Sequence, residues 1–192
     1  MKSKDLRKIR KAMENELDPK RYEHTLGVEY TAAALAMRYD ADIANARLAG
    51  LLHDCAKCLS DEKKLSICSK NKIEVSEVEK RNPFLLHAKV GAYLAKAEYD
   101  VEDMDVVNAI CNHTTGRPQM SLLEKIIFIA DYIEPGRKQA PNLAEIRKLA
   151  FIDLDKALVR VLEDTLTYLK ESGGEMDPMT KQTYDYYVSV SQ

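Results

Sequence analysis

Apolar residues recur in this chain at three- and four-residue spacing from end to end, and runs of alternating β-branched residues are few. That period demands helices. Leu6, Ile9 and Met13 mark a first helix that ends near Leu17. Asp18-Pro19 supplies an N-cap and a proline at the first helical position, so the next helix runs over 19–39 through Tyr22, Leu26, Tyr30, Ala33 and Met37. A third covers 42–55, and Ser60 can cap a short charged helix over 61–70. Ser76 with Glu79, and Ser121 with Glu124, fit capping boxes. Helices over 84–98, 102–113 and 122–133 follow, the last stopped by Pro135-Gly136. Asn142 and Asp153 cap two more, Gly173-Gly174 ends the second, and Asp177-Pro178 opens a final helix over 178–190. The predicted fold is all-α: a single-domain bundle of about ten helices over residues 1–192.

Composition narrows the function classes. A chain of 192 residues suits one domain, and neither a repeat nor a Gly/Ser-rich linker divides it. Lys plus Arg is 29 and Asp plus Glu is 31, a net charge of −2, which argues against a protein that coats a nucleic-acid polymer. No apolar run is long enough to span a membrane. The N-terminal "MKSKDLRKIRKAMENEL" is charged and periodic without a signal-peptide core, so the expected location is cytoplasmic. Cysteines stand at 55, 58, 68 and 111. Cys55 and Cys58 form a CxxC, but no second close pair completes a zinc site, and a helix precedes the motif where a redox site would have a strand. They read as small apolar thiols.

The ionisable residues carry the functional signal. The four histidines are His24, His53, His87 and His113, and each falls on, or at the end of, a mostly apolar helix. Asp131 interrupts a fifth, "LLEKIIFIADYIEPGR". A lone histidine in such a setting is ordinarily a hydrogen-bonded core residue. Intrusions on five helices call for a common partner, because buried unpaired polar groups are costly. A shared metal centre satisfies them all. Imidazole and carboxylate without thiolate make a nitrogen/oxygen site for iron, manganese or zinc. His53 and Asp54, adjacent at a helix end, point in different directions and can straddle a metal pair, with Asp54 bridging.

The order His…His-Asp…His…His…Asp, within "RYEHTLGV", "AGLLHDCAK", "LLHAKVGA", "NHTTG" and "IADYIEPGR", resembles the HD-domain metal-dependent phosphohydrolases. The fuller motifs are similar to the YqeK-type branch, the bacterial symmetrical bis(5'-nucleosyl)-tetraphosphatases. The resemblance covers residues 18–140, which would form the HD core, and continues more weakly to the end. It implies two metal ions, iron in the family, with manganese or another divalent ion as alternatives. Carried onto this chain, His24, His53, Asp54 and Asp131 would hold one ion, and His87, His113 and the bridging Asp54 the other. The implied reaction is attack of a metal-bridging hydroxide at phosphorus, cutting a dinucleoside tetraphosphate into two nucleoside diphosphates. Asp54 and Lys57 are the expected catalytic residues. Arg21, Lys57, Thr114, Thr115, Gly116 and Arg137 fall inside the matching motifs and are the expected phosphate grips. Where the family often shows His-Pro near the C-terminus, this chain has Asp177-Pro178. Tyr184 and Tyr187, which could stack on a base, have the helical spacing of core residues.

Partners expected on this reading are a dinucleoside polyphosphate or nucleoside diphosphate, with no nucleic-acid polymer and no membrane. The oligomeric state stays open, a homodimer included. The same ligands would equally serve an HD phosphohydrolase acting on mononucleotides or on a guanosine alarmone. A metal-dependent nucleotide sensor without turnover is the alternative from another class, and a missing ligand would support it, yet every ligand position is filled. A plain helical interaction protein leaves the buried polar residues unexplained.

Overall fold

The computed structural model describes residues 5–190. Among them the elements run α1 (Leu6–Glu16), α2 (Pro19–Arg38), α3 (Ile43–Leu52), α4 (Asp61–Asn71), α5 (Glu77–Arg81), a 3-10 turn (Pro83–Leu86), α6 (His87–Ala97), α7 (Met104–Asn112), α8 (Leu122–Ile133), α9 (Leu143–Leu149), α10 (Leu154–Ser172) and α11 (Pro178–Val190), with no strand. The all-α reading stands.

Side-chain caps start most of these helices. Asp5, Asp18, Asp42, Ser60, Asp103 and Asp153 each accept a backbone N–H from the first turn. Both capping boxes, Ser76 with Glu79 and Ser121 with Glu124, are present with all their bonds. A cap of this kind contributes about 0.5–2 kcal/mol. Asn142 is the exception. Its backbone is left-handed (φ 52°) rather than extended, its side chain makes no cap bond, and its amide instead donates to both carboxylate oxygens of Asp164 at 3.0 and 3.2 Å. It therefore ties α9 to α10.

Three of the boundaries that differ from the sequence reading bear on a histidine. The helix expected over 42–55 ends at Leu52, which leaves His53 just past its last turn. The helix expected over 84–98 begins as a 3-10 turn on Pro83, and α6 proper opens on His87. The helix expected over 102–113 ends at Asn112, again one residue before its histidine.

The most extensive helix pairing joins α2 to α3, and α8 packs across α2, α3 and α7. Ile126, Ile127 and Ile129 of α8 are fully buried at the middle of the core. Gly50 lets α2 and α3 approach closely: a Cβ there would stand 2.9 Å from Cα and 3.1 Å from N of Glu29. The Glu29 carboxylate, fully buried, is gripped by Arg10 of α1 (2.7 and 2.8 Å) and Arg47 of α3 (2.9 Å), so one charge cluster bolts the first three helices together.

Gly50→Ala forces backbone against backbone. It is expected to destabilise the fold by about 1–3 kcal/mol, read as a lower urea midpoint at unchanged slope. Gly91→Ala, whose Cβ would meet its nearest neighbours at 3.4 Å, is expected to cost less. Equal midpoints for the two variants would show that the α2–α3 contact is not limiting.

Candidate metal centre

Five helices deliver the ionisable side chains to one point. His24 comes from the second turn of α2, His53 and Asp54 from the residues just after α3, His87 from the start of α6, His113 from the end of α7, and Asp131 from the last turn of α8. Asp54 lies at the centre, 2% exposed. Its Oδ2 is 3.4 Å from His53 Nε2 and 4.0 Å from His24 Nε2. Its Oδ1 is 3.3 Å from His87 Nε2 and 3.6 Å from His113 Nε2. The two oxygens therefore face two different groups of imidazoles. Asp131 Oδ1 completes the first group, 3.0 Å from His24 Nε2.

The ligand atoms of His24, His53 and Asp131 all lie within 4.8 Å of one another, as do those of His53, Asp54 and His113. His87 Nε2 joins the second set at 3.2 Å from His113 Nε2. Each ring is held from behind at Nδ1, which aims Nε2 inward. His53 meets Gly50 O at 2.7 Å, His87 meets Phe84 O at 2.7 Å, His113 meets Ile110 O at 2.8 Å, and His24 meets Glu134 Oε1 at 3.1 Å. The inward atoms lack such support: His53 Nε2 and Asp54 Oδ1 are buried without a hydrogen-bond partner, and the buried His24 Nε2 has only the Asp131 carboxylate beside it at 3.0 Å. An unsatisfied buried polar group costs about 1–3 kcal/mol. Buried nitrogen and oxygen donors converging at one point in this way fit a divalent cation pair.

The electrostatics agree with that donor set. Burial alone would raise the Asp54 pKa, but the facing His53 and His113 rings hold it well below the usual carboxylate range. Asp131 is likewise lowered, as His24, His53 and Arg137 outweigh its desolvation. Burial, His113 and Lys57 push His87 down to about 3, so its lone pair is free near neutral pH. His24 goes the other way. Burial lowers it, yet Asp131 and Glu134 raise it further.

The expected phosphate grips divide into two groups. Arg21 Nη1 donates to Asp54 Oδ2 at 2.8 Å, Lys57 Nζ is 3.2 Å from His87 Nε2, and Arg137 Nη2 donates to Asp131 Oδ1 at 3.0 Å. Thr114 Oγ1 is 3.4 Å from His87 Nε2 and 3.3 Å from His113 Nε2. These four side chains meet the centre. Lys57 reaches it from an irregular turn after α3 rather than from a helix, its N–H bonded to Asp54 O, and burial lowers its pKa. Thr115 and Gly116 face elsewhere. The Thr115 hydroxyl donates to Gly116 O, its carbonyl accepts from Thr183 of α11, and Gly116 occupies a left-handed turn (φ 65°).

The CxxC stays outside the centre. Cys55 is buried with its thiol toward Gly91 O, its pKa raised chiefly by burial, and the exposed Cys58 points to Asp18 Oδ2. Tyr187 is buried with its hydroxyl accepting from Met120 N, a core role. Sequence reasoning missed Glu134, 3% exposed behind His24. Its one signal was position: an acidic residue closing a helix, where the dipole disfavours negative charge.

Comparison with known proteins identifies the family. The HD domain family matches residues 21–136. The chain is 42% identical over 179 residues to the symmetrical bis(5'-nucleosyl)-tetraphosphatase of Bacillus subtilis, covering 93% of this chain and 95% of that one. It is 44% identical over 165 residues to the enzyme of the same name from Halalkalibacterium halodurans, covering 86% and 87%. A crystal structure from Clostridium acetobutylicum, described as a predicted HD superfamily hydrolase involved in NAD metabolism, superposes with a TM-score of 0.93 at 46% identity over 97% of this chain and 98% of that one. The chain belongs to the HD-domain family, in its YqeK-type branch of symmetrical bis(5'-nucleosyl)-tetraphosphatases. Among the described residues no helix is long and apolar enough to cross a membrane.

Asp54→Ala removes the one carboxylate that both groups share and is expected to abolish most metal binding, measured by elemental analysis of purified protein. The Cys55→Ser, Cys58→Ser double variant is expected to keep its metal. A loss in the double variant equal to that in Asp54→Ala would make the CxxC a ligand pair.

Proposed function

We propose that this chain hydrolyses dinucleoside tetraphosphates at the central bridge, releasing two nucleoside diphosphates. The observation that carries the reading is Asp54, whose two oxygens face separate imidazole groups at 3.3–4.0 Å. The names of the similar Bacillus and Halalkalibacterium enzymes support the choice of substrate. His24, His53, Asp131 and Asp54 Oδ2 would hold one ion, and His87, His113 and Asp54 Oδ1 the other. The nitrogen/oxygen donor set suits iron, and also manganese. A cation pair there supplies a nucleophile from water near neutral pH and neutralises phosphate oxygens.

The chain's own residues supply the rest. Arg21, Lys57 and Arg137 bring positive charge to the rim of the centre, each within 3.2 Å of a proposed ligand atom. In the protein alone they lean on ligand atoms; a polyphosphate offers them stronger acceptors. Thr114 adds a hydroxyl beside His87 and His113. Thr115 and Gly116 serve by shaping the turn that presents it. These grips hold one diphosphate half, so the phosphorus beside the centre is the second in the tetraphosphate. Water oxygen bonds to that phosphorus, the bond from it to the central bridging oxygen breaks, and the departing diphosphate keeps that oxygen. Lys57 is placed to neutralise charge as it develops there.

Removing one charge that stabilises a transition state in a water-excluded site typically costs about 10²-fold or more in rate. Lys57→Ala and Arg137→Ala are expected to lose turnover by that order while retaining metal. Chromatography of a diadenosine tetraphosphate digest is expected to show ADP alone. AMP with ATP as the main products would refute symmetrical cleavage, and wild-type rates in both variants would remove them from phosphate binding.

A further inference from the structure

Three of the four imidazoles in the centre rest on a backbone carbonyl from their own preceding turn: Gly50 O for His53, Phe84 O for His87 and Ile110 O for His113. Each of those histidines stands at a helix boundary. His53 and His113 follow the last residue of α3 and α7, and His87 opens α6 after the 3-10 turn. The last carbonyls of a helix lack intrahelical partners and are free to accept a ring N–H.

His24 is different. It lies inside α2, where each carbonyl accepts from the amide four residues on. The carbonyls of the turn before it already accept backbone amides, and Nδ1 meets Glu134 Oε1 from the end of α8 instead. The fold makes room for this carboxylate. A Cβ at Gly27 would stand 2.5 Å from Glu134 Oε2, and one at Gly136 would stand 3.0 Å from it. Gly136 N–H donates to the same oxygen. Among the described residues no Lys or Arg pairs with the Glu134 carboxylate, and its ion-pair contact is His24. Arg147 braces the surrounding backbone instead, donating to the carbonyls of Ile133, Glu134 and Arg137.

We propose that Glu134 is a positioning residue: it fixes His24 with the proton on Nδ1 and the lone pair on Nε2 facing Asp131 and Asp54, and so makes the ion on that side the tighter of the two. The proposal rests on the two-ion reading above. A carboxylate behind a ligating imidazole fixes its tautomer and orientation and raises its donor strength, where a neutral carbonyl does so less. The His24 side also has two carboxylates within reach, Asp131 and Asp54, against Asp54 alone on the His87–His113 side. Filling is therefore stepwise, His24 side first.

The test titrates metal-stripped protein with Mn(II) and follows free ion by electron paramagnetic resonance. Wild type is expected to bind one ion tightly and a second more weakly. Glu134→Gln keeps the shape and removes the charge. It is expected to weaken the tight step by about 10–100-fold, the range for loss of a ligand's outer partner, and to leave the weaker step in place. Gly27→Ala keeps the carboxylate's charge but pushes it aside, and is expected to weaken the same step. Two unchanged steps in both variants overturn the proposal. Equal weakening of both steps, together with a lowered melting temperature, assigns Glu134 a structural role only and overturns it too. Wild type with two indistinguishable steps removes the ordering. Wild type that takes up no ion overturns the two-ion reading itself, a failure separate from the others.

Discussion

A carboxylate taken out of water costs several kcal/mol unless charge and hydrogen bonds replace its hydration. Asp54 is taken out almost entirely, at 2% exposure, in the middle of an otherwise apolar bundle. Its surroundings are organised around that cost. Arg21 and His24 come to Oδ2 from α2, His53 from the same chain turn, and His87 and His113 come to Oδ1 from α6 and α7. Replacing any one of the contributing helices would leave a charge or a ring nitrogen without its neighbour. The close α2–α3 approach at Gly50 is thus a functional dimension as much as a packing one, because it sets how far His24 stands from His53 and Asp54.

The helix ends explain why the histidines sit where they do. Ending α3 at Leu52 and α7 at Asn112, each one residue before a histidine, puts last-turn carbonyls beside the ring that follows. Helix termination and the orientation of the proposed ligands become one event. His24, inside a helix, is met by a side chain from elsewhere, Glu134 at the end of α8. The same turn carries Arg137 back onto Asp131 through its backbone and side-chain oxygens. "IADYIEPGR" therefore encodes a proposed ligand, the support of another and a cation within seven residues, Asp131 to Arg137.

Much of this was legible in the sequence because the polar residues were conspicuous against apolar periodicity. His24, His53, His87, His113 and Asp131 each broke a helical stripe, and Arg21 stood three residues before His24 on one face. The structure brings all of them to the same centre. Glu134 was not legible: a glutamate before Pro-Gly looks like a solvated helix end, and only tertiary packing places His24 behind it. Glu29 was hidden for a related reason, since its partners Arg10 and Arg47 are 19 and 18 residues away and share no local pattern with it. Thr115 and Gly116 have contacts that the sequence did not foretell. Hydroxyl and glycine beside a histidine suggested a phosphate cradle, but Thr115 spends its hydroxyl on Gly116 O, and a Cβ at Gly116 would meet Thr183 Cγ2 at 2.7 Å. The turn is built around α11.

That last contact gives the C-terminal helices a place in the site. Thr183 donates to Thr115 O, and Tyr187 holds Met120 N, so α11 braces the connection from His113 and Thr114 to α8. Glu175, between α10 and α11, pairs with Arg81 and accepts from Asn82, just ahead of the 3-10 turn that carries the acceptor of His87. A cavity of about 260 Å³, lined by Glu79, Lys89, Thr114, Asp177 and Met179 among others, lies between these braces. Asp177 therefore has a structural use. It caps α11 by accepting from Met179 N, and α11 in turn fixes the loop that presents Thr114 to His87 and His113. The C-terminal helix is thus linked to the centre through the turns that carry its proposed ligands rather than through contact with them.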